Sequence, residues 1–460
     1  MLFLAALKRS SRCGSDVKVW NANIDGRHVT CAKIRNAIAL TRPASDVFTK
    51  LAGVQRLEIE DADGMLQTLP KQLCAELRKL ESLSLTWTNV RALPACIFQL
   101  PITALHLQRN QLRSLDGIQQ ATQLTILDIS HNALEILPGN FGQLTSLQTL
   151  NIAANSITEL PETIWCLRRL TVLNCSHNRL ASLPNSLGNL TELIILDVNH
   201  NQLTSLPANI GDLAKLKDFR ARDNLLCSLP DTFSRLLQLT SLLLRGNKFD
   251  HIPLQLSSLP RLHHLNMCDN QIAHMDQSIP SLKYLVLDQN DLRQVDDGIL
   301  QCANLQLLSL QHNRLSHMTE HIGQLTNIRS LFLSDNAISC IPVELSLLSR
   351  LIRLSLNSTN IQTIPLAVAS IPSLQTLELQ HCTKLDRRLR EAYTTRGRVG
   401  VIDHLKQQPN RPTDTPTSET TSSAVKFRSN SSVRVRNMAV ESIIPPDPQP
   451  VASPHNSADG

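Results

Sequence analysis

Aromatic residues are scarce: nine Phe, three Trp and two Tyr make up 3% of the 460 residues. A platform that stacks nucleobases on Phe and Tyr is therefore not expected. Charge is thin too, at 18% against the usual quarter. The net charge of +6, from 45 Lys and Arg against 39 Asp and Glu, is mild and lacks the concentrated basic face of a phosphate-backbone binder. Glycine holds only 15 positions, and there is no Gly-rich phosphate loop, GxSxG elbow, HExxH helix or kinase signature. No run of 18 apolar residues occurs, so no transmembrane helix is expected. The opening stretch Met1 to Leu7 is apolar, but Lys8 and Arg9 follow it, whereas a secretory signal places its basic residues first. Eleven cysteines, an odd number without a CxxC pair, read as scattered reduced thiols of a cytosolic or nuclear protein.

Leucine is abundant: 80 positions, about one residue in six. It recurs with a period. In the phrase LxxLxLxxNxL the Asn slot is filled by Asn110, Asn132, Asn155, Asn178, Asn201, Asn224, Asn247, Asn270, Asn290, Asn313 and Asn336, mostly 23 residues apart. Thr88 holds the slot before this series, and Thr359 and Cys382 hold it after. A degenerate first turn (Val54, Leu57, Ile59) would put Ala62 there. The second half of the period reads LPxxIxxL, as in Leu206-Pro207-Ala-Asn-Ile210-Gly-Asp-Leu213.

The spacing has a physical reading. Leucines alternating with polar residues in LxxLxL have the period of a strand with one buried face. Each period lays another short strand beside the last, about 4.8 Å away. Proline cannot continue a ladder, so the chain turns there and returns along an outer side. That side is wider than the strand side, so the stack should curve with the sheet inside. The Asn amide both donates and accepts, and it would satisfy backbone groups that a buried turn otherwise strands at about 1–3 kcal/mol each. These residues are therefore read as a structural ladder.

The repeat resembles that of leucine-rich-repeat proteins over about 51–385. The short LPxxIxxL form, as in Leu160-Pro-Glu-Thr-Ile164-Trp-Cys-Leu167, is similar to the intracellular Ras-group branch, the Ras-suppressor-like and plant intracellular Ras-group-related proteins. The resemblance implies an α/β solenoid, a horseshoe with a parallel concave sheet, that binds other proteins in small-GTPase, kinase or phosphatase signalling. The chain departs from the pattern between Asn270 and Asn290, where three residues and the LPxx step are missing.

The flanks differ. Residues 1–50 read as an N-terminal cap: a hairpin from Val17 to Cys31 turning at Asp25-Gly26, then a short helix over Ala32 to Leu40. Residues 386–406 suggest two short helices that cap the other end, and the segment from Lys384 to Leu405 resembles the closing segment of intracellular leucine-rich repeats. Residues 407–460, with eight Pro and 14 Ser or Thr, have a disordered composition. Within them Lys426, Arg428, Arg434 and Arg436 surround Ser429, Ser431 and Ser432, a basic patch that phosphorylation would neutralise. Val425-Lys-Phe427 only faintly resembles a phosphatase-docking strand.

Alternation on the strands defines an outward face. Its first half is small and polar. Arg220, Arg222 and Arg245 then cluster, with Asp218 and Asp223 beside them as candidate partners. Leu243, Tyr284, Val286, Leu307 and Phe332 are expected to be exposed on the same face. Arginines beside an apolar patch are enriched at protein interfaces, so Arg220, Arg222, Leu243, Arg245, Tyr284, Val286, Leu307 and Phe332 are the expected partner-binding residues. His177 and His200 sit in adjacent coils, but no carboxylate or thiolate completes a metal set. The sequence thus predicts a non-enzymatic cytoplasmic scaffold without cofactor, metal, nucleic acid or membrane span, binding a protein such as a small GTPase or signalling enzyme. The alternatives are an extracellular or receptor-type ligand-binding protein, for which Asn189-Leu-Thr191, Asn357-Ser-Thr359 and Asn430-Ser-Ser432 would be glycan acceptors, and a targeting subunit of a phosphatase or ubiquitin ligase.

Overall fold

The structure, a computed structural model, describes residues 17–24, 27–34, 51–60 and 66–407. The Asp25-Gly26 turn, the Ala62 slot and the features of the tail beyond residue 407 lie outside the described residues. The described chain divides into two compact units. One runs through Ile272 and takes in Ile279–Leu282; the other holds Ala273–Ser278 and the chain from Lys283. The division falls within the shortened repeat.

In the first unit β1 (Val17–Ile24) and β2 (Arg27–Ile34) form an antiparallel hairpin. Ala32 to Ile34 are thus strand, which corrects the helix expected to begin at Ala32: the pairing with Val17–Val19 carries β2 three residues past Cys31. β2 also pairs in parallel with β3 (Arg56–Ile59), so the doubtful first turn does contribute a strand. Parallel pairing then continues through β4 (Ser82–Leu85), β5 (Ala104–His106), β6 (Ile126–Asp128), β7 (Thr149–Asn151), β8 (Val172–Asn174), β9 (Ile195–Asp197), β10 (Asp218–Arg220), β11 (Ser241–Leu243) and β12 (His264–Asn266). Short helical pieces return the chain, among them α1 (Leu73–Glu76) and 3-10 turns. In the second unit β13 (Tyr284–Val286), β14 (Leu307–Ser309), β15 (Ser330–Phe332), β16 (Arg353–Ser355) and β17 (Thr376–Glu378) pair in parallel. Its helices are α2 (Asp297–Leu300), α3 (Leu366–Ala369) and α4 (Arg387–Lys406), the last interrupted by non-helical Gly397. In α4 Arg398 donates to the carbonyls of Ala369, Ile371 and Leu374, satisfying backbone acceptors at the end of the last described coil.

One coil shows why the sequence folds this way. Leu196, Val198, Leu203, Ile210, Leu213 and Leu216 are all fully buried, and Pro207, extended at φ −64°, opens the 3-10 turn Ala208–Asp212. Gly211 in that turn has no room for a Cβ, which would overlap the Thr232 carbonyl of the next coil. His200 precedes the Asn slot at φ 52°, in the left-handed region that His, Asn and Asp enter more readily than most residues. Asn201, 8% exposed, donates to the carbonyls of Cys175 (3.0 Å) and Val198 (3.0 Å) and accepts from the Leu180 N–H (3.0 Å). Each such carbonyl serves two asparagines: Cys175 O also accepts from Asn178 at 3.1 Å. Where the slot departs from Asn, Thr359 Oγ1 and Cys382 Sγ both donate to the Leu356 carbonyl.

Candidate protein-binding surface

The sheet face of the first unit carries the arginines. Arg220 is 6% exposed, and the structure shows why: its guanidinium bonds Asp218 at 2.6 Å and lies 3.7 Å from Asp197 on the neighbouring strand. Burial raises the Asp197 carboxyl above its usual pKa, while the bond from the Asn199 N–H and the Arg220 charge pull it back. Arg220 is thus a clamped strut, not an exposed contact. Arg222 and Arg245 are half-buried and continue the row after β10 and β11, and the Arg222 N–H donates to Asn199 Oδ1 at 2.7 Å. Of the two acids expected beside them, Asp218 pairs with Arg220, whereas Asp223 pairs with His200 at 3.2 Å.

The apolar half of the expected patch is corrected. Leu243 is fully buried, Val286 is 1%, Leu307 2% and Phe332 5% exposed. Alternation decides which face a side chain takes but not how far its lateral neighbours cover it. Leu243 is flanked in register by Arg220 and Asn266, Leu307 by Tyr284 and Ser330, and Phe332 by Ser309 and Ser355. At a strand spacing of about 4.8 Å such neighbours close over an aliphatic side chain. Only Tyr284 stays half-buried. The structure places Arg220, Arg222, Leu243 and Arg245 in the first unit and Tyr284, Val286, Leu307 and Phe332 in the second.

Sequence reasoning missed a buried polar row on the second unit. Asp288, 2% exposed, accepts from Ser309 Oγ (2.5 Å) and the Gln311 N–H (2.8 Å). Burial pushes its carboxyl up to about 6, with those bonds opposing the rise. The signal was its register, since Asp288 and Gln311 occupy the same slot in adjacent coils. His177 and His200 stack with ring centroids 4.1 Å apart; burial first, then His200, lowers the His177 pKa. Among the described residues no group of three His, Cys, Asp or Glu could hold a metal ion, and no helix is long and apolar enough to cross a membrane.

The cysteines need one correction. Cys74 and Cys96 form a disulfide with Cα atoms 6.1 Å apart, so the reading of all eleven as reduced thiols fails at this pair. Their separation of 22 residues is one repeat, which sets both in the same outer slot of adjacent coils.

The stacked coils, the Leu core and the Asn ladder are matched by known proteins. Family models described as "Leucine-rich repeat region" and "Leucine rich repeat" match residues 102–205 and 280–338. The fold is that of a leucine-rich-repeat protein. A leucine-rich-repeat protein of Leptospira interrogans is 28% identical with a TM-score of 0.67, covering 77% of this chain and 92% of its own. YopM from Yersinia enterocolitica is 25% identical with a TM-score of 0.57, covering 76% of this chain and 69% of its own. Among curated proteins, mouse "Leucine-rich repeat and calponin homology domain-containing protein 1" is 32% identical over 124 residues, 27% of this leucine-rich-repeat chain and 16% of that relative's length.

Proposed function

We propose that the chain is a non-enzymatic scaffold whose leucine-rich-repeat sheet captures a protein partner, and that the arginine row of the first unit takes an acidic segment of it. One observation carries this reading. Arg220 is locked between Asp197 and Asp218, so the strand that also leads into Arg222 is fixed before a partner arrives. A preorganised cationic row loses little conformational freedom on binding, and opposite charge steers the encounter. The signalling setting, with a small GTPase, kinase or phosphatase as partner in the cytoplasm, extends this proposal by resemblance to the intracellular Ras-group branch. Affinity capture with the full chain and with Arg222→Glu/Arg245→Glu tests it. The double reversal should lose captured proteins while its circular-dichroism melt stays that of the wild type. An unchanged set of captured proteins would remove the arginine row from the binding surface.

A second reading, an extracellular ligand-binding protein, is favoured by the Cys74–Cys96 disulfide, since such bonds persist in oxidising compartments. Thiol titration under denaturant without reductant separates the two. Eleven reactive thiols accord with the cytoplasm, whereas two fewer accord with an oxidising location.

A further inference from the structure

A row of left-handed residues runs along one edge of the first unit, one in each coil just before the Asn slot. It holds His131, Ala154, His177, His200, Asp223 and Gly246 in consecutive coils. All three histidines are exposed. His, Asn and Asp enter the left-handed region more readily than most side chains, so the backbone alone would accept asparagine as well. Histidine differs from the other two in ordinarily changing charge between about pH 5 and 8.

The backbone ties this edge to the arginine row. The His177 N–H donates to Asn199 O at 2.8 Å, the His200 N–H to Arg222 O at 2.8 Å and the Asp223 N–H to Arg245 O at 2.7 Å. Each edge residue is thus bonded to the outward-facing position of the next coil. The His177 and His200 rings stack with centroids 4.1 Å apart, and His200 Nδ1 lies 3.2 Å from Asp223 Oδ2. The carboxylates facing His177 are Asp197 and Asp223. His131, beyond Ala154, faces Arg109, Asp128 and His177. Burial first, then the neighbouring positive charge (Arg109 for His131, His200 for His177), lowers both pKa values. Both rings are therefore neutral at about pH 7 and take up protons in mild acid.

The fixed charges on this face balance. Arg109, Arg220, Arg222 and Arg245 are opposed by Asp128, Asp197, Asp218 and Asp223, and Asp269 follows in the edge row after Gly246. These residues sum to no positive charge, so the histidines decide whether the face attracts an anion. Two imidazolium rings 4.1 Å apart repel, and a carboxylate laid beside them offsets that repulsion and favours their charged form. Binding of an acidic segment therefore takes up protons, and affinity rises as pH falls through the histidine range. The rise ends near pH ~4, where the segment's own carboxylates become neutral.

We propose that His131, His177 and His200 extend the arginine row into a proton-linked surface for an acidic polypeptide segment, which is held in mild acid and released toward about pH 8. The inference rests on the arginine row as the protein-binding surface and adds its regulation. A rise of about one pH unit in the titration midpoint of a single histidine on binding corresponds to about a tenfold gain in affinity.

The test uses the untagged full chain and a rhodamine-labelled peptide of alternating Glu and Ser, followed by anisotropy at constant ionic strength. The wild type should bind about tenfold or more tightly at about pH 5.5 than at about pH 7.5. His131→Asn/His177→Asn/His200→Asn should cut that gain to about twofold or less. This variant is expected to fold, because Asn89 already holds a left-handed backbone at φ 62°. If its circular-dichroism melt is lowered, titration of the wild-type histidine C2 protons by NMR replaces it: saturating peptide should raise the His177 midpoint by about one pH unit. Arg222→Glu/Arg245→Glu should weaken binding at both pH values. The inference is overturned by absence of wild-type binding up to about 1 mM in mild acid, by a pH gain that the asparagine variant retains, or by a His177 midpoint that the peptide leaves unmoved. Wild-type binding that is equally tight at both pH values but lost in the double reversal would sink the histidines and leave the arginine row standing. A pH gain that survives the double reversal would do the opposite.

Discussion

Asn201→Ala isolates what the asparagine ladder contributes. The side chain is 8% exposed; its Nδ2 donates to Cys175 O and Val198 O, both at 3.0 Å, and its Oδ1 accepts from the Leu180 N–H at 3.0 Å. The two carbonyls keep a second donor each, Asn178 at 3.1 Å and Asn224 at 3.0 Å, so each loses a shared bond of about 0.5–1 kcal/mol. The Leu180 N–H loses its acceptor, which costs a buried donor about 1–3 kcal/mol. Together the loss should be about 3 kcal/mol, beyond the ~0.5 kcal/mol range of an ordinary surface change such as Gln202→Ala. Urea unfolding of the full chain by far-UV circular dichroism measures it. Hydrogen exchange should show the amides of the two coils around Asn178 and Asn201 opening first, because a repeat array loses stability locally. If Asn201→Ala unfolds within about 0.5 kcal/mol of Gln202→Ala, the ladder is decorative and the reasoning about shared carbonyls fails.

Two further outcomes follow from the buried groups. Burial pushes the Asp288 carboxyl from its usual range, about 4, up to about 6, so the folded state holds that proton more tightly and this group's contribution to stability declines as pH rises from about 4 to 6; Asp288→Asn should gain on the wild type across that window by about 1–3 kcal/mol, and parallel pH–stability curves would refute it. Breaking the Cys74–Cys96 loop of 22 residues, by reductant or by Cys96→Ser, should cost about 3 kcal/mol in the first coils; a melt indifferent to both would show that the bond does not form in solution.

The fold was largely legible because the repeat is local: Leu spacing, the turn proline and the Asn slot each recur within 23 residues, and each acts on its own coil and the next. The site was less legible because exposure is a property of neighbours. Alternation put Leu243 and Phe332 on the outward face, but only the register shows Leu243 lying between Arg220 and Asn266. Partner choice was likewise undecided among nearby acids. Asp218 is two residues from Arg220 on the same face and captures it, while Asp223 follows the strand in the left-handed slot and meets His200 instead.

What the chain does chemically is written across coils. Residues 22 or 23 apart are lateral neighbours, so the period turns a linear sequence into rows. Cys74 and Cys96 are such a pair in the outer row, His177 and His200 in the edge row, and Asp288 and Gln311 in the sheet row. The stacked imidazoles, the ring under Arg109 and the hydrogen-bonded buried carboxylate each arise because adjacent coils lie about 4.8 Å apart, within reach of stacking, cation–π contact or a hydrogen bond. A substitution in one slot therefore acts mainly through the same slot in the adjacent coils. Trp87 in the left-handed row and Arg222 and Arg245 on the sheet depart from the mostly small or polar occupants of the same slots in other coils.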